Sequence, residues 1–212
     1  MSSGQLVRWS GLASVLGGIS LAGFVIEHPW DRFVGAEVAS TTEWRIAHTL
    51  HFVGAALMLI GLVGLYVRQR QSVGALGLVG FVGAFLGTAM FVGTGMITAF
   101  VFPMVAAQAP AALQPDGAMF SPPALTAFSL TAATVVLGYV LFGVAMFRAN
   151  VLPRAATSLF VVGAVMGMVP PEPLGLMPWA GLVLGGVLYG VGAVWLGYRL
   201  WTDAPRTLFS TA

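Results

Sequence analysis

The residues able to do chemistry in this chain gather in one short window. All three histidines, His28, His48 and His51, lie there with Glu27, Asp31, Arg32, Glu37, Glu43 and Arg45. Imidazole nitrogens and carboxylate oxygens are common ligands of a divalent ion, which needs three or four of them converging at about 2 Å. His48 and His51 stand three apart on a predicted helix beginning near Trp44, so they share roughly one face. With His28 and Glu27 or Glu43 they make a candidate metal set. Haem is a narrower variant: two histidines of one helix cannot both be its axial ligands, so the second ligand would come from His28 or a methionine. Met96, Met104, Met119, Met166, Met168 and Met177 lie in or near the same end, and thioether with imidazole suits Cu(I). These methionines show no compact repeat and read first as fillers of helix cores. The opposing reading makes the histidines interfacial, bonded to loop carbonyls, to water or to an acid such as Glu43. The residues thus leave a metal ion or haem as the options for a cofactor.

Other chemistries find no residues. The chain has no cysteine, which excludes disulfides, thiolate metal sites and cysteine catalysis. It has no lysine and no phosphate-cradling glycine loop, and its basic residues are scattered, which argues against nucleotide or nucleic-acid work. No Gly-x-Ser-x-Gly elbow supports nucleophilic hydrolysis. The balance leans away from an enzyme.

The elements that must carry these residues are membrane spans. Of 212 residues, 58% are hydrophobic and 8% charged, where a soluble domain carries about a quarter charged. Apolar runs cover residues 10–26, 46–67, 73–106, 124–147, 155–171 and 177–198, each near or above the ~20 residues that cross a bilayer. The first and fifth are short, and the third is too long for one straight helix, so Pro103 is expected to end or kink it. Apart from His48 and His51 these runs contain no acidic or basic side chain, which leaves little for a proton relay or a pump. The first run lacks a clear small-residue cleavage site before Glu27 and is read as a retained span. The chain is thus expected to be one all-α integral membrane domain over residues 1–212.

Six spans put both termini on one side. Arg8, Arg68, Arg70, Arg148, Arg154, Arg199 and Arg206 then fall on that side with one acid, Asp203. Two arginines, Arg32 and Arg45, face six acids on the other. Basic residues in short loops are retained in the cytoplasm, so the termini are predicted inside a cell membrane. Trp9, Tyr66, Trp195, Tyr198 and Trp201 then form an inner aromatic belt, and Trp30, Trp44 and Trp179 an outer one. Taken in pairs the helices read as three similar hairpins, whose returning ends close on Arg68, Arg148 and Arg199. The inner connections are short, while the outer ones are longer and carry Pro29, Pro110, Pro115, Pro122, Pro123, Pro170, Pro171, Pro173 and Pro178. Gly74, Gly77, Gly80, Gly83 and Gly87 on the third helix, and Gly181, Gly185, Gly186 and Gly190 on the sixth, are spaced for close helix packing. The hydroxyls of Tyr139 and Tyr189 fall at mid-membrane and need partners, with facing backbone or threonine the expected ones.

The segment RIAHTLHFVGAALMLIGLVGLYVRQ, residues 45–69, with LGLVGFVGAFLG and FRANVLPRAATSLFVVGAV, resembles a widespread group of bacterial multi-span membrane proteins. In that group the second span starts with an Ala-His pair and ends in Gly-Leu-Tyr-x-Arg-Gln, and a later inner loop reads Arg-x-x-Val-Leu-Pro-Arg. The resemblance implies a six-span fold and singles out Ala47, His48 and Arg154; it implies no activity, substrate or cofactor. The reading that results is a six-helix bundle acting as a non-catalytic accessory or scaffold subunit. Its partners would be the lipid bilayer and other membrane proteins or further copies of itself, with a bound lipid or pigment. The alternative is a metal- or haem-binding protein that uses the outer histidine cluster.

Overall fold

The computed structural model describes residues 3–30, 35–168 and 179–203. Asp31, Arg32, Pro170, Pro171, Glu172, Pro173, Met177, Pro178 and Arg206 lie outside these residues, as does part of the fifth and sixth predicted runs. The described chain is all-α, with helices α1 (Ser3–Glu27), α2 (Ala36–Ala39), α3 (Thr42–Gln69), α4 (Gly74–Met96), α5 (Phe102–Gln108), α6 (Pro122–Ala149), α7 (Arg154–Met166) and α8 (Ala180–Asp203).

Five helical segments are long and apolar enough to cross a membrane: Gly4–Glu27, Thr42–Gln69, Gly74–Gln108, Pro122–Ala149 and Ala180–Asp203. The predicted fifth span is the exception. Its helix α7 has 13 residues, or roughly 20 Å at the usual rise, short of a ~30 Å hydrocarbon layer. Ile19, Ile26, Val79, Leu86, Leu130, Leu137 and Val191 are exposed on the outside of the bundle, as expected of faces turned to lipid.

Local signals set the helix limits. The Thr41 side chain accepts a hydrogen bond from the Trp44 backbone N–H and starts α3. Pro122 opens α6, and Asn150, at φ 52°, closes it in the left-handed conformation. Pro103 does not end the long third run as a sharp stop. A π-helical turn, Ile97–Val101, joins α4 to α5 around it. In that register the backbone N–H of Phe102 reaches the carbonyl of Ile97, and the carbonyl of Thr98 would look to residue 103. Proline has no N–H, and the Thr98 oxygen accepts instead from the Trp44 indole Nε1 at 2.8 Å.

Packing follows chain order: α1 on α3, α3 on α4, α4 on α6, α6 on α7, α7 on α8, with α8 returning to α1 to close a ring. The start of α1 and the end of α8 meet at one end of the bundle, where Trp9 lies edge-on to Trp201 and the Arg8 guanidinium covers the Trp201 ring at 4.2 Å. Glycines set the helix separations. A Cβ on Gly87 would come within 2.7 Å of the Val135 backbone on α6, and one on Gly190 within 2.7 Å of the Gly18 carbonyl on α1. Gly74 differs from the rest of its series: it is exposed at φ 58° and serves the turn that begins α4. At the arginine-rich end the ring is filled by Leu62, Leu65, Phe142, Met146, Phe160, Leu196 and Leu200, all buried.

Candidate functional site

At the opposite end, where the histidines lie, the ring is hollow. A cavity of about 650 Å³ is lined from every long helix and from α7: Phe24 from the first, with His28 just after it, His48 from the second, Phe91 from the third, Phe128 from α6, Ala164 from α7 and Leu182 from α8. Its wall is almost wholly apolar and aromatic.

The three histidines all belong to this wall, and the structure brings them together. The His28 and His48 rings are 5.1 Å apart between centroids and those of His48 and His51 6.4 Å. What stands between them is a phenyl ring. Phe24 lies 5.7 Å from His28, 5.4 Å from His48 and, stacked, 4.8 Å from His51. Helix periodicity accounts for the arrangement, since Phe24 and His28, and likewise Trp44 and His48, are four residues apart. Trp44 stacks on His48 at 3.9 Å and Trp30 on His28 at 4.1 Å.

Several polar groups of the wall are held by their neighbours. His48 Nδ1 lies 3.0 Å from the Trp44 carbonyl oxygen, which only accepts, so Nδ1 donates. The Trp30 indole donates to the Val25 carbonyl at 2.8 Å. His51 has both ring nitrogens covered by protein and no well-formed hydrogen bond, with the Phe91 backbone the polar group that its ring faces. Burial pushes the His28 imidazole, just beyond the end of α1, down to about 4, and His48 beside it adds to the effect. At the floor runs a chain of hydroxyls: Tyr189 to Tyr139 at 2.8 Å, Tyr139 to Thr88 at 2.9 Å, and Thr88 to the Ala84 carbonyl at 2.7 Å. The threonine partner expected for Tyr139 is Thr88.

Glu27 and Glu43 do not join the histidines. Both are exposed, outside the cavity. Glu43 precedes His48 by five residues, which is about 140° around the helix. Among the described residues no group of three or more His, Asp or Glu side chains is placed to hold a metal ion. Among the described methionines of the predicted set, Met96 and Met104 are exposed on the outside, while Met168 alone lines the cavity. Trp44, expected in the outer headgroup belt, is 2% exposed because its indole closes the free Thr98 carbonyl.

Sequence reasoning missed Phe24 as the centre of the cluster, and Thr88 and Thr98 as wall groups. A signal for Phe24 existed in its four-residue spacing to His28, and one for Thr98 in its five-residue spacing to Pro103. No protein-family model matches the chain, and neither a curated protein nor a solved structure matches it.

Proposed function

We propose that this is a multi-pass membrane protein that holds an apolar small molecule within its bundle, near the histidine end, as a non-catalytic accessory or scaffold subunit. The observation that carries the reading is the cavity itself. Its volume falls within the roughly 300–1,000 Å³ of small-molecule sites, and its wall is aromatic with a few placed polar groups. The packed opposite end argues against a general looseness of the bundle, since there large side chains fill the same ring. A cell-membrane location with cytoplasmic termini rests on the arginine asymmetry, and membership of the bacterial six-span group on Ala47, His48 and Arg154.

The test is organic extraction of protein purified in mild detergent, followed by mass spectrometry. One apolar compound is expected at near one equivalent from the wild type and depleted from Leu182→Trp, which fills the cavity from α8. Equal recovery from both would count against the cavity as its place.

One observation favours a haem or metal instead. His48 donates from Nδ1 to a backbone carbonyl, the arrangement that fixes a ligating histidine with Nε2 as donor atom. The Phe24 ring among the imidazoles and the outward carboxylates oppose it. A visible spectrum and metal analysis of the purified protein decide: a haem band or a stoichiometric ion lost in His48→Ala would replace the first reading.

A further inference from the structure

The direction of hydrogen bonding around the cavity says more about the molecule it takes. We infer that the cavity prefers an apolar ring compound bearing a hydroxyl, of the phenol or quinol class, over one of the same shape that can only accept hydrogen bonds. The inference rests on the cavity being a binding site, as proposed above.

The hydroxyls, the two indoles and His48 have used their donors within the wall. Thr88 gives its hydroxyl hydrogen to the Ala84 carbonyl, so its oxygen receives that of Tyr139, whose oxygen in turn receives that of Tyr189. Three hydrogens are thus committed along one line, and lone pairs are left over on the Thr88 oxygen and on both tyrosine oxygens, all on residues of the cavity wall. The Thr98 hydroxyl donates to the Thr94 carbonyl at 3.0 Å, and Thr94 to that of Met90 at 3.3 Å. Both tryptophan N–H groups on the wall, Trp30 and Trp44, are spent on backbone carbonyls. His48 donates from Nδ1, which in the neutral ring leaves a lone pair on Nε2. The His51 nitrogens are covered by protein and offer a ligand nothing.

A carbonyl or ether entering this space would bring acceptors to acceptors. A hydroxyl would meet a lone pair at the floor, on Tyr139 or Tyr189, or at His48. A buried polar group left without its partner costs free energy, so the mismatch discriminates, and the aromatic wall supplies attraction common to both compounds.

The experiment compares 2-naphthol with 2-methoxynaphthalene, which differ by methylation of the one donor, on full-length protein in lipid nanodiscs. Specific binding is the saturable part that Leu182→Trp abolishes. The naphthol is expected to bind at least tenfold more tightly. His48→Phe, which keeps a ring on Trp44 but no lone pair, and Tyr189→Phe are each expected to reduce that ratio while leaving the methoxy compound's affinity within about twofold. Specific binding of both compounds with equal affinity, or a tighter methoxy compound, would overturn the donor preference and leave the cavity reading standing. No saturable binding of either would overturn both.

Discussion

The two ends of the ring are built from the same helices and differ in what they enclose. At the arginine-rich end Phe142, Met146, Phe160, Leu196 and Leu200 are buried together in one packed cluster. At the histidine end the same helices turn flat rings along the wall and keep a volume of about 650 Å³ open. Helix spacing does not explain the difference, because close glycine contacts occur along the whole ring, from Gly11 on Gly197 to Gly186 on Val25. Side-chain size and direction do. The aromatic residues of the hollow end are tied sideways, Trp44 to the Thr98 carbonyl and Trp30 to that of Val25, and cannot collapse inward without losing buried hydrogen bonds. A membrane bundle lacks a hydrophobic force between helices and depends on packing, so a cavity of this size needs walls that hold themselves.

The sharpest way to break the comparison is to truncate one ring at each end. Phe160→Ala, in the filled end, is expected to cost about 3 kcal/mol or more, as for other fully buried phenylalanines. Phe128→Ala, on the cavity wall, is expected to cost less than about 1 kcal/mol, since it enlarges a space already open. Thermal unfolding in one detergent measures both, and equal losses would abolish the distinction. Overpacking comes next. A leucine at Gly80 meets the Phe142 backbone of α6, so Gly80→Leu should lose about 1–3 kcal/mol, whereas Leu182→Trp should unfold close to the wild-type temperature.

Smaller effects sharpen the picture of the wall. Tyr139→Phe removes the middle hydroxyl and leaves those of Tyr189 and Thr88 short of a partner, at an expected cost of about 1–2 kcal/mol. Tyr66→Phe, at the other end, should change nothing measurable in the same unfolding assay. His28 gives a pH dependence. Its folded imidazole titrates at about 4 and the unfolded one near 6.5, so between these values the unfolded chain binds the extra proton. The His28 contribution to stability should therefore be complete above pH 6.5, fall as the pH drops toward 4 and level off below, and His28→Phe should make the acid slope shallower. No stability change is expected from Ser72→Cys or Ala111→Cys, which report sidedness in this cysteine-free chain. An impermeant thiol reagent on intact cells should label the second only, and labelling of the first would reverse the orientation.

Much of the scaffold was legible in the residues. Long apolar runs dictate helices in lipid, where backbone groups have no other partner, and all five long spans lie where hydropathy puts them. The fifth run is the exception, because apolar composition extends past Met166, where α7 ends. At the site, the shared face of His48 and His51 followed from their three-residue spacing. Glu43 was drawn in by its nearness along the chain, although five residues turn it away from His48 on the helix. Trp44 was assigned to the headgroups from its place at a span's end, where the tie to Thr98 buries it.

Polarity and spacing along the chain were enough for the helical class, the candidate spans and the gathering of every imidazole at one end. These follow from polarity and a period of 3.6 residues, which act within one helix. Only the tertiary structure decided that Phe24 stands among the imidazoles, that Glu27 and Glu43 face outward, that α7 is short and that one end of the ring is open. The direction of the hydroxyl chain from Tyr189 to Ala84 was also decided there. A cavity is what remains when six helices have packed, and its donors and acceptors are those the packing has not used, so neither quantity belongs to any one segment of the chain.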